Sequence, residues 1–299
     1  MDETIEGYPE YIGTVIRPPS EANSLILQVT LGCSDNRCTF CPAYKDKPFR
    51  IKDTGQIEAE ISRVSKMYPD TRRIFLADGD AIIIPHKKLK EILSLLIKNF
   101  SRLSRVSCYG SIKSLESKTV GELAEYKELK LGTVYMGFET GDEEVYRQIK
   151  KYGSPQGNVE ACKKLKAAGI TVNVTVIAGL GGKALSAEHA VNTAKILNLA
   201  QPDQIAVLTL MIAPGTPLFD MAKKGLFEEL DDFAILSETK LMIERIEDFK
   251  CQFFANHASN YYPIAARFPK DKASVLKGLR SVLNGRRKEM LIPDYLRGL

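Results

Sequence analysis

Three cysteines inside nine residues constrain this chain more than any other feature. They stand in Leu25–Arg50, LILQVTLGCSDNRCTFCPAYKDKPFR, as Cys33, Cys38 and Cys41, spaced C-x4-C-x2-C with the aromatic Phe40 just before the third. A β-type apolar run, 25 to 31, ends at Gly32 and opens into the loop that carries them. Clustered thiols on a loop leaving a strand point first to a metal. Three thiolates hold three irons of a cubic four-iron, four-sulfur cluster and leave the fourth iron open to a small ligand. Structural zinc needs four ligands, usually from two C-x2-C pairs, and one such pair is present. Cys108, Cys162 or Cys251 could add a fourth, but none lies in a partner motif. Disulfides suit a secreted chain, and nothing here suggests secretion.

With 299 residues the chain can bury a sizeable core, as one large α/β domain or two small ones. Its 42 Lys and Arg against 37 Asp and Glu leave a charge of +5, spread along the chain. That falls short of the concentrated basic patch of a nucleic-acid domain and suits a carboxylated or phosphorylated substrate. The opening MDETIEGYPEYIG lacks a basic-then-apolar leader pattern, and no stretch approaches the roughly 18 apolar residues of a membrane helix. The expectation is a cytoplasmic protein, where thiols stay reduced and an oxygen-sensitive cluster persists.

Residues 1–24 read as an arm in which Arg17-Pro18-Pro19 forbids helix. The prolines either only guide the chain into the first strand or bring Arg17 or Glu21 to the site mouth. Helical periodicity then marks 57–67, 87–100, 119–129, 143–150, 159–168 and 187–199, and strands read at 73–76, 105–108, 133–138, 170–177 and 204–211. Six strands alternating with helices predict an α/β fold, a parallel sheet curled into a partial (β/α)6 TIM-like barrel. The core spans 25–225, and a C-terminal helical extension, with helices at 231–246 and 273–283, fills 226–299. In such folds the loops at the carboxyl ends of the strands build the site, and the cysteine loop leaves the first strand at that end.

The cysteine loop resembles that of the radical S-adenosylmethionine (SAM) superfamily, whose commonest spacing is C-x3-C-x2-C; the loop here is one residue longer. The resemblance implies a [4Fe-4S] cluster whose open iron chelates SAM through its amino nitrogen and carboxylate. It also implies reductive cleavage to a 5′-deoxyadenosyl radical that abstracts hydrogen. The strand ends extend it. Ala77-Asp78-Gly79-Asp80 stands where the family has a Gly-Gly-Glu segment facing the SAM amino group, Gly79 allowing close backbone approach and Asp80 supplying a carboxylate. Asp-Gly-Asp is equally an ordinary turn. Met136-Gly137-Phe138-Glu139-Thr140-Gly141 resembles the Gly-x-Glu-Ser-Gly segment of proteins like anaerobic coproporphyrinogen oxidase, the elongator-type tRNA enzymes and the methylthiotransferases. Glu139 and Thr140 are thereby implied at the SAM ribose or amino group, with helix capping the alternative for Glu139. Lys150 or Lys151, Lys151 first, falls where relatives set a base against the SAM carboxylate; a second basic position of some relatives is Asn158 here. Ile177–Gly182 and Pro214–Pro217 match glycine-rich segments of the same subgroup, Gly179 leaving room for adenine.

Two further residues are candidates for catalysis. Cys108 and Tyr109 end the third strand and are expected to face the cavity, with Cys108 a hydrogen-atom donor, a second-site ligand or a small apolar filler. His257, among aromatic and polar residues in 251–262, is a general acid/base, a substrate donor or part of a hydrogen-bonded joint. That stretch and the Arg-Pro-Pro arm are similar to the ends of stand-alone members of the superfamily. A small metabolite or tetrapyrrole-like acid is the expected substrate, and the resemblance implies an anaerobic oxidoreductase fed by a ferredoxin or flavodoxin. Modification of RNA or protein, and a non-catalytic iron–sulfur or zinc scaffold, are the other readings.

Overall fold

The computed structural model describes residues 11–298. The first ten residues of the arm and the last residue of the tail lie outside that range. In chain order the regular elements are β1 (Leu25–Gln28), β2 (Thr30–Leu31), β3 (Arg50–Ile51), α1 (Thr54–Met67), β4 (Arg73–Ala77), α2 (His86–Asn99), β5 (Arg105–Tyr109), α3 (Ile112–Glu116), α4 (Val120–Glu128) and β6 (Leu131–Glu139). There follow α5 (Glu143–Gln148), α6 (Pro155–Ala167), β7 (Thr171–Ala178), α7 (Gly182–Ala200), β8 (Gln204–Thr209), α8 (Pro217–Lys223), α9 (Asp232–Arg245), β9 (Cys251–Phe254), β10 (Ala265–Phe268) and α10 (Lys272–Asn284). Local chemistry starts several of the helices. Asp53 caps α1 by accepting from the Gly55 and Gln56 amides, and Ser111 and Thr119 open α3 and α4 with capping boxes.

The chain divides into two compact units. The first takes the described residues up to Asn36, then 43–136 and 164–171. Here β1, β4, β5 and β6 pair in parallel in that order, with Leu25 opposite Ile74, Arg73 opposite Arg105 and Val106 opposite Leu131. The run expected as one strand breaks at Val29: β1 joins the parallel ladder, whereas β2 pairs antiparallel with β3. One face of the ladder carries Ile74, Leu76, Val106 and Val134, all without exposure. The other gathers Phe75, Ala77 and Tyr135 with Ile26, Tyr109 and Val15 of the arm.

The second unit takes 37–42, 137–163 and the described residues from 172 to 298. In it β7, β8 and β9 run parallel, and β10 closes antiparallel on β9. Helix α7 packs on α9, and α9 on α10. The stretch 226–299 therefore holds the two expected helices and adds β9 and β10. Residues 251–254 bury Cys251 and Phe253 and expose Gln252, the alternation of a half-covered strand.

Candidate active site

At the carboxyl end of β4, both acidic side chains are engaged inside the first unit. Asp78 forms a buried ion pair with Lys47 at 2.7 Å and accepts from the Gly32 amide at 2.9 Å and from Gln28 Nε2 at 3.0 and 3.1 Å. Lys47 sits on the cysteine loop, and its ammonium also donates to the carbonyls of Ile12 and Thr14. Asp80 has no exposure; its Oδ2 accepts from Ser34 and Ser111, both at 2.6 Å, while Oδ1 is buried without a partner. Burial pushes its pKa up, and the Ser111 and Ser34 hydroxyls draw it part of the way back. The backbone between the two acids meets the first cysteine. The Gly79 amide donates to the Gly32 carbonyl, and a side chain at 79 would stand 3.0 Å from Tyr44 and 3.2 Å from Cys33 Cβ. Glycine is required there by contact with the loop.

The second unit holds the rest of the cysteine loop. Thr39 donates its amide to the Ile149 carbonyl and accepts from the amide of Leu218, and Phe40 packs against the buried cluster of Val145, Ile149, Ile177, Leu180, Leu210 and Leu218. Beside it, β6 ends on Glu139 with φ +64°, a conformation rare outside glycine. Its Oε1 receives Lys151 Nζ at 3.1 Å. Burial works against the Lys151 charge, but Glu139, Cys38 and Tyr146 outweigh it and raise the lysine's pKa. Asn158 is buried, its amide facing the Phe138 carbonyl at 3.5 Å. Thr140 is buried, pairing with His189 Nδ1 at 2.8 Å and accepting from the Asp142 amide at 3.0 Å. Past β7, Gly179 turns at φ +89° and gives its amide to Glu238 at 2.7 Å.

The structure corrects the orientation expected of Cys108. Tyr109 lies against Phe75 and Tyr135, while period-two alternation turns Cys108 to the opposite face, with Val106 and within the field of Tyr126 on α4. Burial raises its pKa, and Asp80 and Glu21 add to the effect, which keeps the thiol protonated. His257 is half-buried; its Nδ1 accepts the Ser259 amide at 3.1 Å and stands 2.9 Å from the Ser259 hydroxyl, which in turn takes the Thr209 amide. Burial lowers its pKa. Glu21 is held by the β5–β6 ladder rather than left free. It is buried near the amino end of β5, where Arg105 binds it at 2.9 Å and the Tyr135 hydroxyl at 2.7 Å. Arg17 donates to the Ser24 carbonyl at 3.4 Å.

Lys47, Gln28, Ser34, Ser111, His189 and Glu238 went unread in the sequence. Two of them leave a signal there: Gln28 interrupts a buried strand, and Glu238 falls on the stripe of Ile235 and Met242, where a charge has no business unless paired.

All six cysteines are thiols, and Cys33, Cys38 and Cys41 are partly exposed. Among the described residues no three or more His, Cys, Asp or Glu side chains draw together as a single-ion site. A cluster, which takes each thiolate on a different iron, asks for a wider set. The donors fit such a group: soft thiolate ligands on one loop, a glycine backbone pressed against Cys33, and a lysine in the field of Cys38. A family model described as the radical SAM superfamily matches residues 27–197, more than half of the chain.

The chain belongs to the radical SAM superfamily. It is a radical SAM enzyme, and the cofactors of the family are a [4Fe-4S] cluster and SAM. An uncharacterized protein of Methanocaldococcus jannaschii is 28% identical over 262 residues, covering 82% of this chain and 74% of that one. Among solved structures, methylornithine synthase matches 74% of this chain with TM-score 0.52 and 19% identity. Elp3 of Methanocaldococcus infernus matches 88% with TM-score 0.53 and 14% identity. The chain spans 62% and 64% of those two proteins, and at these identities the likeness shows the fold: the partial TIM-like barrel of radical SAM proteins. No helix among the described residues is long and apolar enough to cross a membrane.

Proposed function

We propose that this radical SAM enzyme holds its cluster on Cys33, Cys38 and Cys41, seats SAM with the strand ends, and acts on a small-molecule substrate. When bound and reduced, the cluster and SAM supply a 5′-deoxyadenosyl radical that takes a hydrogen atom. The chain's own residues bind and orient. Lys151, its charge sustained by Glu139 and Cys38, offers a cation to the SAM carboxylate. The turns at Gly79 and Gly179 would offer backbone to the ligand, each shaped by glycine where a side chain would strike Tyr44 and Cys33 in the first case and Ile235 in the second. Asp78 and Asp80 act one step back: their oxygens hold the cysteine loop through Lys47, Gly32 and Ser34. His257, tied to Ser259, enters as a substrate-stage residue to be tested by alanine replacement. The single observation that carries the reading is the Glu139–Lys151 pair at 3.1 Å, in the unit that also holds Cys38 and Cys41.

The electrons would come from a ferredoxin or flavodoxin; the net charge of +5 suits an acidic donor. The test is anaerobic reconstitution with iron and sulfide, then dithionite and SAM. The expected result is about four irons per chain and release of 5′-deoxyadenosine, both lost in the Cys33→Ala, Cys38→Ala and Cys41→Ala proteins. A single tetrahedral ion, or a cluster that never cleaves SAM, would overturn it. Deuterium passing between 5′-deoxyadenosine and a candidate metabolite identifies the substrate class. Salt-sensitive RNA affinity in place of such exchange would move the assignment to RNA modification.

A further inference from the structure

Two ionisable side chains in the second unit are sealed from water yet lie outside the machinery just described. Glu238, on α9, is 2% exposed, and His189, on α7, is 0% exposed. Glu238 accepts the Gly179 amide at 2.7 Å on Oε1 and the Ser186 hydroxyl at 2.5 Å on Oε2; its Oε1 lies 3.5 Å from His189 Nε2. His189 Nε2 donates to the Ile177 carbonyl at 3.0 Å, and Nδ1 pairs with Thr140 at 2.8 Å. These two partners come from strand ends, one from β7 and one from the turn that follows Glu139, and Thr193 Oγ1 stands farther off, 3.4 Å from Nδ1.

Burying a carboxylate is costly unless its oxygens are matched, and a fully apolar contact between α7 and α9 would hold the helices as well. A carboxylate is worth that cost where it fixes a backbone group that nothing else reaches. The Gly179 amide is such a group. Its residue turns at φ +89°, and a side chain there would stand 2.7 Å from Ile235 Cδ1, one helical turn before Glu238. Helix α9 therefore shapes the β7 turn twice, by contact and by a charge-assisted hydrogen bond. The regular part of α7 begins only after Leu185, whose φ of −122° is not helical, so the Ser186 hydroxyl reaches Glu238 from the helix start.

We infer that Glu238, with His189, is a positioning residue for SAM: it sets the Gly179 turn after β7 and, through His189 and Thr140, the Glu139 turn after β6. SAM affinity then depends on a helix that lies outside residues 27–197 matched by the superfamily. The inference rests on the reading that these two turns contact SAM.

The experiment uses the reconstituted, unreduced holoprotein. Glu238→Ala should weaken SAM binding about tenfold to a hundredfold, the worth of one hydrogen bond to a charged group. Glu238→Gln, which keeps an acceptor for Gly179, should restore affinity to within about threefold of wild type on the same reasoning. Methionine lacks the adenosyl half and would meet only the Glu139 turn, so Glu238→Ala should weaken it less than it weakens SAM. Without any ligand, amide hydrogen exchange at Gly179 and Leu180 should quicken in Glu238→Ala and not in Glu238→Gln. If Glu238→Ala does not fold, Ser186→Ala decides, with a loss of a few fold expected. Unchanged SAM affinity in the folded alanine variant, or equal loss for methionine, overturns the inference. Wild-type holoprotein that binds no SAM at all would instead remove the proposed function.

Discussion

The ends of β4 and β6 both present acids beside the cysteine loop, and they use them in opposite ways. At β4, Asp78 and Asp80 are fully buried and their oxygens are turned on the chain itself, on Lys47, Gln28 and Gly32 in one case and two serines in the other. At β6, Glu139 is paired with Lys151 while both keep some exposure, 11% and 20% of their side chains. The first arrangement fixes a loop; the second leaves a cation and a carboxylate where a ligand can meet them. The lesson is that an acid at a strand's carboxyl end is informative only with its partners. On type and position alone, Asp80 was the natural mate for the SAM amino group.

The contrast breaks most readily at Asp78. Asp78→Ala leaves the Lys47 ammonium buried with no carboxylate, so unfolding stability should fall by about 3–5 kcal/mol, read from urea denaturation. A small stability loss together with abolished SAM binding would make Asp78 a ligand residue and reverse the assignment. Next in size is Gly79→Ala. Its new methyl would crowd Tyr44 and Cys33 at 3.0 and 3.2 Å. Overpacking of this kind costs about 1–3 kcal/mol, and displacement of Cys33 should lower the iron retained after reconstitution. Full iron content at wild-type stability would show that the loop yields freely.

The alternation of strands and helices was legible because local pattern sets it. Strands β4 to β8 fall within about two residues of their expected bounds, and α2 follows its stripe of Leu89, Ile92 and Leu96. The break at Val29 was not legible, since an unbroken apolar run says nothing of a change of partner. Nor were the site's internal partners. Gly32 and Asp78 lie 46 residues apart, Gly179 and Glu238 lie 59 apart, and no local periodicity encodes such pairings. Strand alternation did offer one missed clue: with Tyr109 facing the aromatic cluster, its neighbour Cys108 had to face away.

Lys151 sharpens the comparison from the other side. Lys151→Gln leaves the mostly buried Glu139 carboxylate with a neutral partner, so stability should fall by about 1–3 kcal/mol. SAM affinity should also drop by about tenfold or more, as for a hydrogen bond between charged groups, seen by equilibrium binding to the reconstituted protein. Stability lost without a change in affinity would place Lys151 with Lys47, as a structural cation.

The smallest expected effect is a slope. Burial raises the Asp80 pKa in the folded protein, so between its unfolded and folded values the native state binds more protons than the unfolded state. Stability from this group is therefore fully present in acid and is lost as pH rises from the ordinary carboxylate range through the raised value. Asp80→Asn cannot titrate and should remove that slope. The gap between the two melting temperatures should then shift in favour of the asparagine variant from about pH 4 to about pH 7, whatever its value at the acid end. Parallel profiles would mean that Asp80 is ionised at ordinary cost, its Oδ1 matched by a donor. It would then join Glu139 as a carboxylate held ready for a ligand, and the difference between the two strand ends would rest on Asp78 alone.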